Sequence, residues 1–285
     1  MRGCVRSELA RLDVPTLWVG FVVNFLALGL VWTYVMRSYP TFRAARFWTA
    51  AAYVAASGTV IAMLRVPLQS MLPLVIGGGC VVLACCLCAM GIKQFYDRPV
   101  SWLSTALITG GTVAGLVFFL FVYDSVPMRV FIYSLGQSVA MATTLKLVLS
   151  PQGERINAGA RLSGIVALLL IGVNMIRSTC SFLHIGGEVS FIQFNAFQAF
   201  LILMLVFLSM AWNFGFLVMA IDRLRNEVAD IALVDDLPGV AHRRQLLRRL
   251  EEACAMSKRS SEHFALLVVD LDGFKQIDRK SKSLK

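Results

Sequence analysis

Leu68-Gln69-Ser70-Met71-Leu72-Pro73-Leu74-Val75-Ile76-Gly77-Gly78-Gly79-Cys80-Val81-Val82-Leu83-Ala84-Cys85-Cys86-Leu87-Cys88-Ala89-Met90-Gly91-Ile92 runs for twenty-five residues without a charged side chain. A helix needs about 20 apolar residues to cross the hydrocarbon core of a bilayer, and a helix satisfies its own backbone there. Six further stretches read the same way, at about 15–36, 47–64, 100–122, 127–149, 162–183 and 191–220. The composition agrees, with 58% hydrophobic and 15% charged residues and a mean hydropathy of +0.71; soluble domains carry roughly 25% charged residues. Residues 1–221 are therefore expected to form an all-α multispan membrane bundle of about seven helices in a lipid bilayer. The first stretch, Pro15 to Met36, is too long for the apolar core of a signal peptide and no small-residue cleavage site follows it, so it reads as a retained span.

Charge placement sets the expected orientation. The net charge is +10. Residues 1–221 hold fourteen basic and six acidic residues; the remainder holds thirteen and eleven. Basic residues flanking apolar spans are a topology signal rather than a nucleic-acid footprint, so no nucleic-acid partner is expected. Alternate breaks hold Arg37, Arg43 and Arg46, then Lys93 and Arg98, then Lys146, Arg155 and Arg161, then Arg223 and Arg225. By the positive-inside rule these face the cytoplasm, which puts the N-terminus outside and the C-terminal tail inside. Arg2, Arg6 and Arg11 run against that assignment.

Polar residues inside spans are candidates for function. Asn174 and Arg177 share a helix face, and with Ser178, His184, Gln193, Asn195 and Gln198 they read as a candidate sensor pocket in the outer half of the bundle. Arg177 suits an anionic or polar ligand. The competing reading is a snorkelling arginine with ordinary interhelical hydrogen bonds. His184 with Glu188 is a weak metal hint. Cys85, Cys86 and Cys88 crowd one span without a CxxC pair, and packing as small apolar residues outweighs a metal or redox role. Gly77-Gly78-Gly79 and Gly110-Gly111 are either helix breaks, which a small-solute transporter would use, or close-packing positions.

The last 64 residues change character, holding 24 of the 44 charged side chains. Leu217, Ile221, Leu224, Val228 and Ile231 are spaced four, three, four and three, a short heptad seam continuing from the last span. The seam reads as a signalling helix over 215–233 that pairs two copies through 217–231, or as one amphipathic helix. Val234 to Arg244 contains Asp, Pro and Gly and reads as a turn. A helix is expected over 242–256 with Leu246, Leu247, Leu250, Ala253 and Cys254 on one face, then a polar loop from Ser257 to Glu262, then a buried strand Phe264–Val269 ending at Asp270.

Asp235-Asp236-Leu237-Pro238-Gly239-Val240-Ala241-His242-Arg243-Arg244 and Asp270-Leu271-Asp272-Gly273-Phe274-Lys275-Gln276-Ile277-Asp278-Arg279 occur in order in this tail. Together they resemble the opening of a GGDEF domain, the catalytic module of diguanylate cyclases. The resemblance implies an α/β fold for 234–285, a place in a bacterial inner membrane, and a reaction in which two GTP condense to cyclic di-GMP and two pyrophosphates. It also implies Mg²⁺ as cofactor and a homodimer as the active form. On the same basis Asp270 and the Leu271 carbonyl are metal ligands, and Phe274, Lys275 and Asp278 lie at the GTP. Asp278 stands where the family usually has a guanine-reading Asn, and Arg279 replaces the Asp that follows.

The later GGDEF signature is not found, since residues 222–285 contain no Gly-Gly pair. The tail is therefore read as a truncated N-terminal part of the module, and the catalytic set as incomplete. The expected function is a membrane-embedded sensor of the diguanylate cyclase family that makes no cyclic di-GMP by itself. The alternatives are a non-catalytic dimerising membrane receptor and a small-solute transporter.

Overall fold

The computed structural model describes residues 14–150, 158–183, 196–231, 243–260 and 265. They form helices α1 (Val14–Ser38), α2 (Ala44–Met63), α3 (Leu72–Phe95), α4 (Trp102–Phe121), α5 (Val126–Leu149), α6 (Ala158–Phe182), α7 (Ala196–Ile231) and α8 (Arg243–Ser260). Two compact units, Met1–Asp222 and Arg223–Lys285, divide the chain. No strand occurs among the described residues. The expected strand falls almost wholly outside them, so the α/β character of the tail stays an expectation. The expected helix at 242–256 is α8, which runs on to Ser260 through part of the region read as a polar loop. Leu247, placed on the apolar face of α8, is 48% exposed.

Five helices are long and apolar enough to cross a membrane: α1, α3, α4, α6 and α7. Their outer surfaces are those of a protein in lipid. In α4 the buried residues are Thr105, Thr112 and Leu116, while Leu103, Leu107 and Phe121 are exposed. Water would penalise that arrangement; hydrocarbon does not. The inward threonines are satisfied locally, Thr112 Oγ1 donating to the Ile108 carbonyl at 2.7 Å and Thr105 Oγ1 to the Met90 sulfur at 3.2 Å.

The other two membrane-unit helices differ for a physical reason. α2 is rich in alanine and buries Ala44, Ala45, Ala51, Ala52, Ala55 and Ala56 against its neighbours. α5 carries Arg129, Gln137 and Lys146, with Ser134, Gln137, Ser138 and Thr144 buried. Alanine in α2 and the polar residues of α5 lower their hydropathy, whereas α3, which is also largely buried, keeps a high one. Pro73 and Pro127 stand in the first turns of α3 and α5, where a missing N–H costs nothing. Ser101 caps α4, its Oγ accepting from the Ser104 amide at 3.2 Å. Ser101→Ala should cost about 1 kcal/mol, read as a small drop in the thermal midpoint of the purified protein.

Packing is closest between α2 and α3. A β-carbon added at Gly77 would abut the Gly58 carbonyl oxygen and lie 2.7 Å from Ala62 Cβ. The three-glycine run is thus a contact surface, and α3 passes through it unbroken. α4 likewise continues through Gly110 and Gly111, which meet nothing within 4 Å. A ring cluster joins α1, α2, α3 and α7. Trp48, 1% exposed, lies 4.7 Å from Trp32 and 6.3 Å from Phe95 between ring centroids, and stacks on Phe216 at 4.9 Å and 3°. Trp48 Nε1 also donates to the Cys88 carbonyl at 3.3 Å. α6 and α7 meet through glycines: Gly159 faces the Met219 backbone and Gly215 faces Ser163. At the same end the Gly159 amide donates to Asp222 Oδ2 at 3.2 Å, which satisfies an otherwise orphan donor in the first turn of α6.

Candidate functional site

Within the membrane unit the helices enclose a cavity of about 240 Å³. Its wall is mostly apolar, built from the small residues of α2 and α3 and from Leu205 and Trp212 of α7. Three guanidiniums line it, Arg65 from the turn after α2, Arg129 from the first turns of α5, and Arg177 from α6. α4 contributes Leu116 and Leu120 from its C-terminal half and α7 lines the cavity from its N-terminal half, while α2, α3 and α5 line it on both sides of their midpoints.

Each guanidinium is held differently. Arg65 lies over the Trp18 ring, 5.8 Å from its centroid. Arg129 pairs with Asp124 at 3.0 Å, a carboxylate whose side chain is 77% exposed. Arg177 lies over the Tyr133 ring at 5.7 Å, a contact worth about 1–2 kcal/mol when desolvated. Gln137 lies one turn beyond Tyr133 on α5 and lines the same cavity. Gln137 Oε1 in turn accepts from Asn174 Nδ2 at 3.5 Å.

Of the residues expected to make a sensor pocket, Asn174 and Arg177 do share a face of α6, with Asn174 fully buried against α5. Arg177, Tyr133 and Gln137 line the cavity. Asn174 stands behind them, its Oδ1 buried without a hydrogen-bond partner among the described residues. Ser178 turns its hydroxyl back to the Asn174 carbonyl at 2.9 Å, an ordinary intrahelical bond. His184, Gln193 and Asn195 lie outside the described residues, as does Glu188.

Several cavity residues escaped the sequence reading. Arg65 and Arg129 were not among the residues read as a pocket. Tyr133 and Gln137, one turn apart in an apolar stretch, carried the same signal as Asn174 and Arg177. Cys86 and Cys88 are buried, and Cys86 accepts from Thr109 Oγ1 at 4.0 Å. No group of three potential metal ligands occurs among the described residues.

The second candidate site lies in the tail. Asp270, Leu271, Phe274, Lys275 and Asp278 fall outside the described residues. Residues 232–281 match the family model of the diguanylate cyclase GGDEF domain. In this segment the chain is similar to the GGDEF domain. Within the GGDEF segment the structure describes α8, which follows the first motif. No curated protein and no solved structure matches the chain. A GGDEF segment preceded by several apolar helices suits a membrane-anchored member of the diguanylate cyclase family, in which GTP, Mg²⁺ and dimers are the family's general terms.

Proposed function

We propose that the chain is a membrane-embedded sensor whose cytoplasmic output element is the GGDEF segment. The observation that carries this reading is the family match at 232–281, which begins where the α7 helix of the membrane unit ends at Ile231. In this reading all seven helices cross a bacterial inner membrane, with the N-terminus outside and the tail in the cytoplasm. Arg37, Lys93 and Lys146 lie in the last turns of α1, α3 and α5, which supports that direction. Ile221, 61% exposed beside Asp222 and Arg223, is the second position of the 217–231 seam through which two copies pair. Unbroken helices at Gly77–Gly79 and Gly110–Gly111 favour the sensor over a transporter built on discontinuous helices.

The donor set of these 285 residues does not fit a complete two-metal centre. By family position Asp270 and the Leu271 carbonyl are metal ligands and Phe274, Lys275 and Asp278 adjoin GTP, yet residues 222–285 supply no Gly-Gly turn with a second acidic ligand after it. No phosphoryl-transfer step is therefore assigned to this chain. The 285-residue protein in lipid nanodiscs, given GTP and Mg²⁺, is expected to form no cyclic di-GMP above a heat-killed control. Turnover above that control would refute the assignment of a non-catalytic output.

A further inference from the structure

The membrane-unit cavity combines features that a packing defect does not. It is apolar along α2, α3 and α7 but carries Arg177 on its wall. Arg177 does not sit on the lipid face of α6. That face is marked by exposed Ile165, Leu169 and Ile176, whereas Arg177 lies three residues from the fully buried Asn174. A cation turned into a bundle rather than towards lipid generally meets a counter-charge, a ligand or a water-filled path. The ring of Tyr133 is its neighbour in the cavity wall, a weaker partner than an anion. Gln137, one turn from Tyr133 along α5, supplies an amide to the same wall.

Size narrows the occupant. The space of about 240 Å³ and its mostly apolar wall of small residues suit one slender apolar chain with one head. The chain would lie along Ala51, Ala55 and Gly58, whose small side chains leave the room. We propose that this cavity binds a single-chain anionic amphiphile, a short-chain or medium-chain carboxylate in type, with its head paired to Arg177 and oriented by Gln137 and its tail against α2 and α7. Such an occupant touches Leu205, Ser209 and Trp212, three positions on one face of the helix that leads to the GGDEF segment.

This inference names the ligand class for the sensor reading, but binding can be tested without any output. Trp18 and Trp212 line the cavity and serve as reporters. The full chain in zwitterionic nanodiscs is titrated with sodium octanoate while tryptophan fluorescence is followed. Octanol tests the tail without the charge, and acetate the charge without the tail. Nanodiscs containing an anionic phospholipid test whether a membrane lipid fills the same place. Octanoate should give a saturable change at concentrations at least tenfold below either truncated probe. Arg177→Gln should raise the apparent Kd at least tenfold, and Arg177→Lys by less. An equal response to octanol, or blockade of octanoate by anionic phospholipid, would overturn the proposal. The wild-type comparison of octanoate with octanol decides the matter even where the Arg177 variants do not fold. Crosslinking through Leu224→Cys in a Cys254→Ser background, with and without octanoate, separates the two readings. Binding without a change in crosslinking keeps the site and removes the sensor coupling, whereas no binding removes the site alone.

Discussion

Gly77→Leu is expected to lower the thermal midpoint of the detergent-solubilised protein by about 6–12 °C and to cut the yield of monodisperse material. The new side chain has nowhere to go. Its first carbon already meets the Gly58 carbonyl oxygen and the Ala62 methyl, and both belong to a helix backbone or to its nearest atom. Overpacking a close-packed interior costs about 1–3 kcal/mol and more when backbone must move. The upper end applies here, since α2 has to be pushed away from α3 along its length. At roughly 2–4 °C per kcal/mol for a chain of this size, that gives the stated shift. Gly110→Leu is the matched control. It adds the same side chain to a glycine-containing span, but nothing lies within 4 Å of the new β-carbon. Its midpoint should stay within about 2 °C of the parent. Equal losses from the two substitutions would show that glycine itself, not the α2–α3 contact, is the sensitive feature.

Trp48→Ala carries the second large effect. Trp48 is a hub: it touches Trp32 of α1, Phe95 of α3 and Phe216 of α7, and it adjoins Phe42 in the turn before α2 at 5.7 Å. Truncating a buried tryptophan removes its contacts and leaves a void, at a cost of about 3–5 kcal/mol. A β-carbon at Gly91 would overlap the indole, so α3 already fits closely around the ring and cannot collapse easily into its place. Trp48→Phe retains a ring against Phe216 and loses mainly the hydrogen bond to the Cys88 carbonyl, for about 1 kcal/mol. Urea or thermal unfolding of the two variants should therefore separate widely. Near-equal midpoints would mean that the indole N–H, rather than the ring stack, holds the cluster.

Much of the membrane unit was legible from the sequence because lipid imposes one simple rule. The stretch expected at 68–92 became a helix over Leu72–Phe95, and that expected at 100–122 became Trp102–Phe121. The offset at residue 72 has a local cause: Leu68 to Met71 precede Pro73, and a helix starts readily around a proline. α2 and α5 were read as spans from the apolar stretches at 47–64 and 127–149, although alanine, Gln137 and Lys146 dilute their hydropathy. The site was legible only where a polar residue interrupted an apolar run, as at Asn174 and Arg177. Arg65 and Arg129 stand at span ends outside the four cytoplasmic segments, where a basic residue reads as a span boundary and not as part of a pocket. Which face of α5 turns towards Arg177 depends on how α5 and α6 pack, and spacing along a single helix does not carry that information. In the tail the family motifs were legible as sequence, whereas the apolar face assigned to α8 included Leu247, which is half exposed.

The bond from the Gly159 amide to Asp222 has a mechanical consequence. Together with the glycine contacts at Met219 and Ser163, it pins α7 to the start of α6 at one height. Sliding α7 by a single residue, about 1.5 Å, would break the 3.2 Å bond and drive side chains into gaps that admit none. The cavity-lining stretch begins at Ile202, about 30 Å along the helix from Asp222. A change at the cavity therefore does not reach Asp222 as a piston stroke of α7.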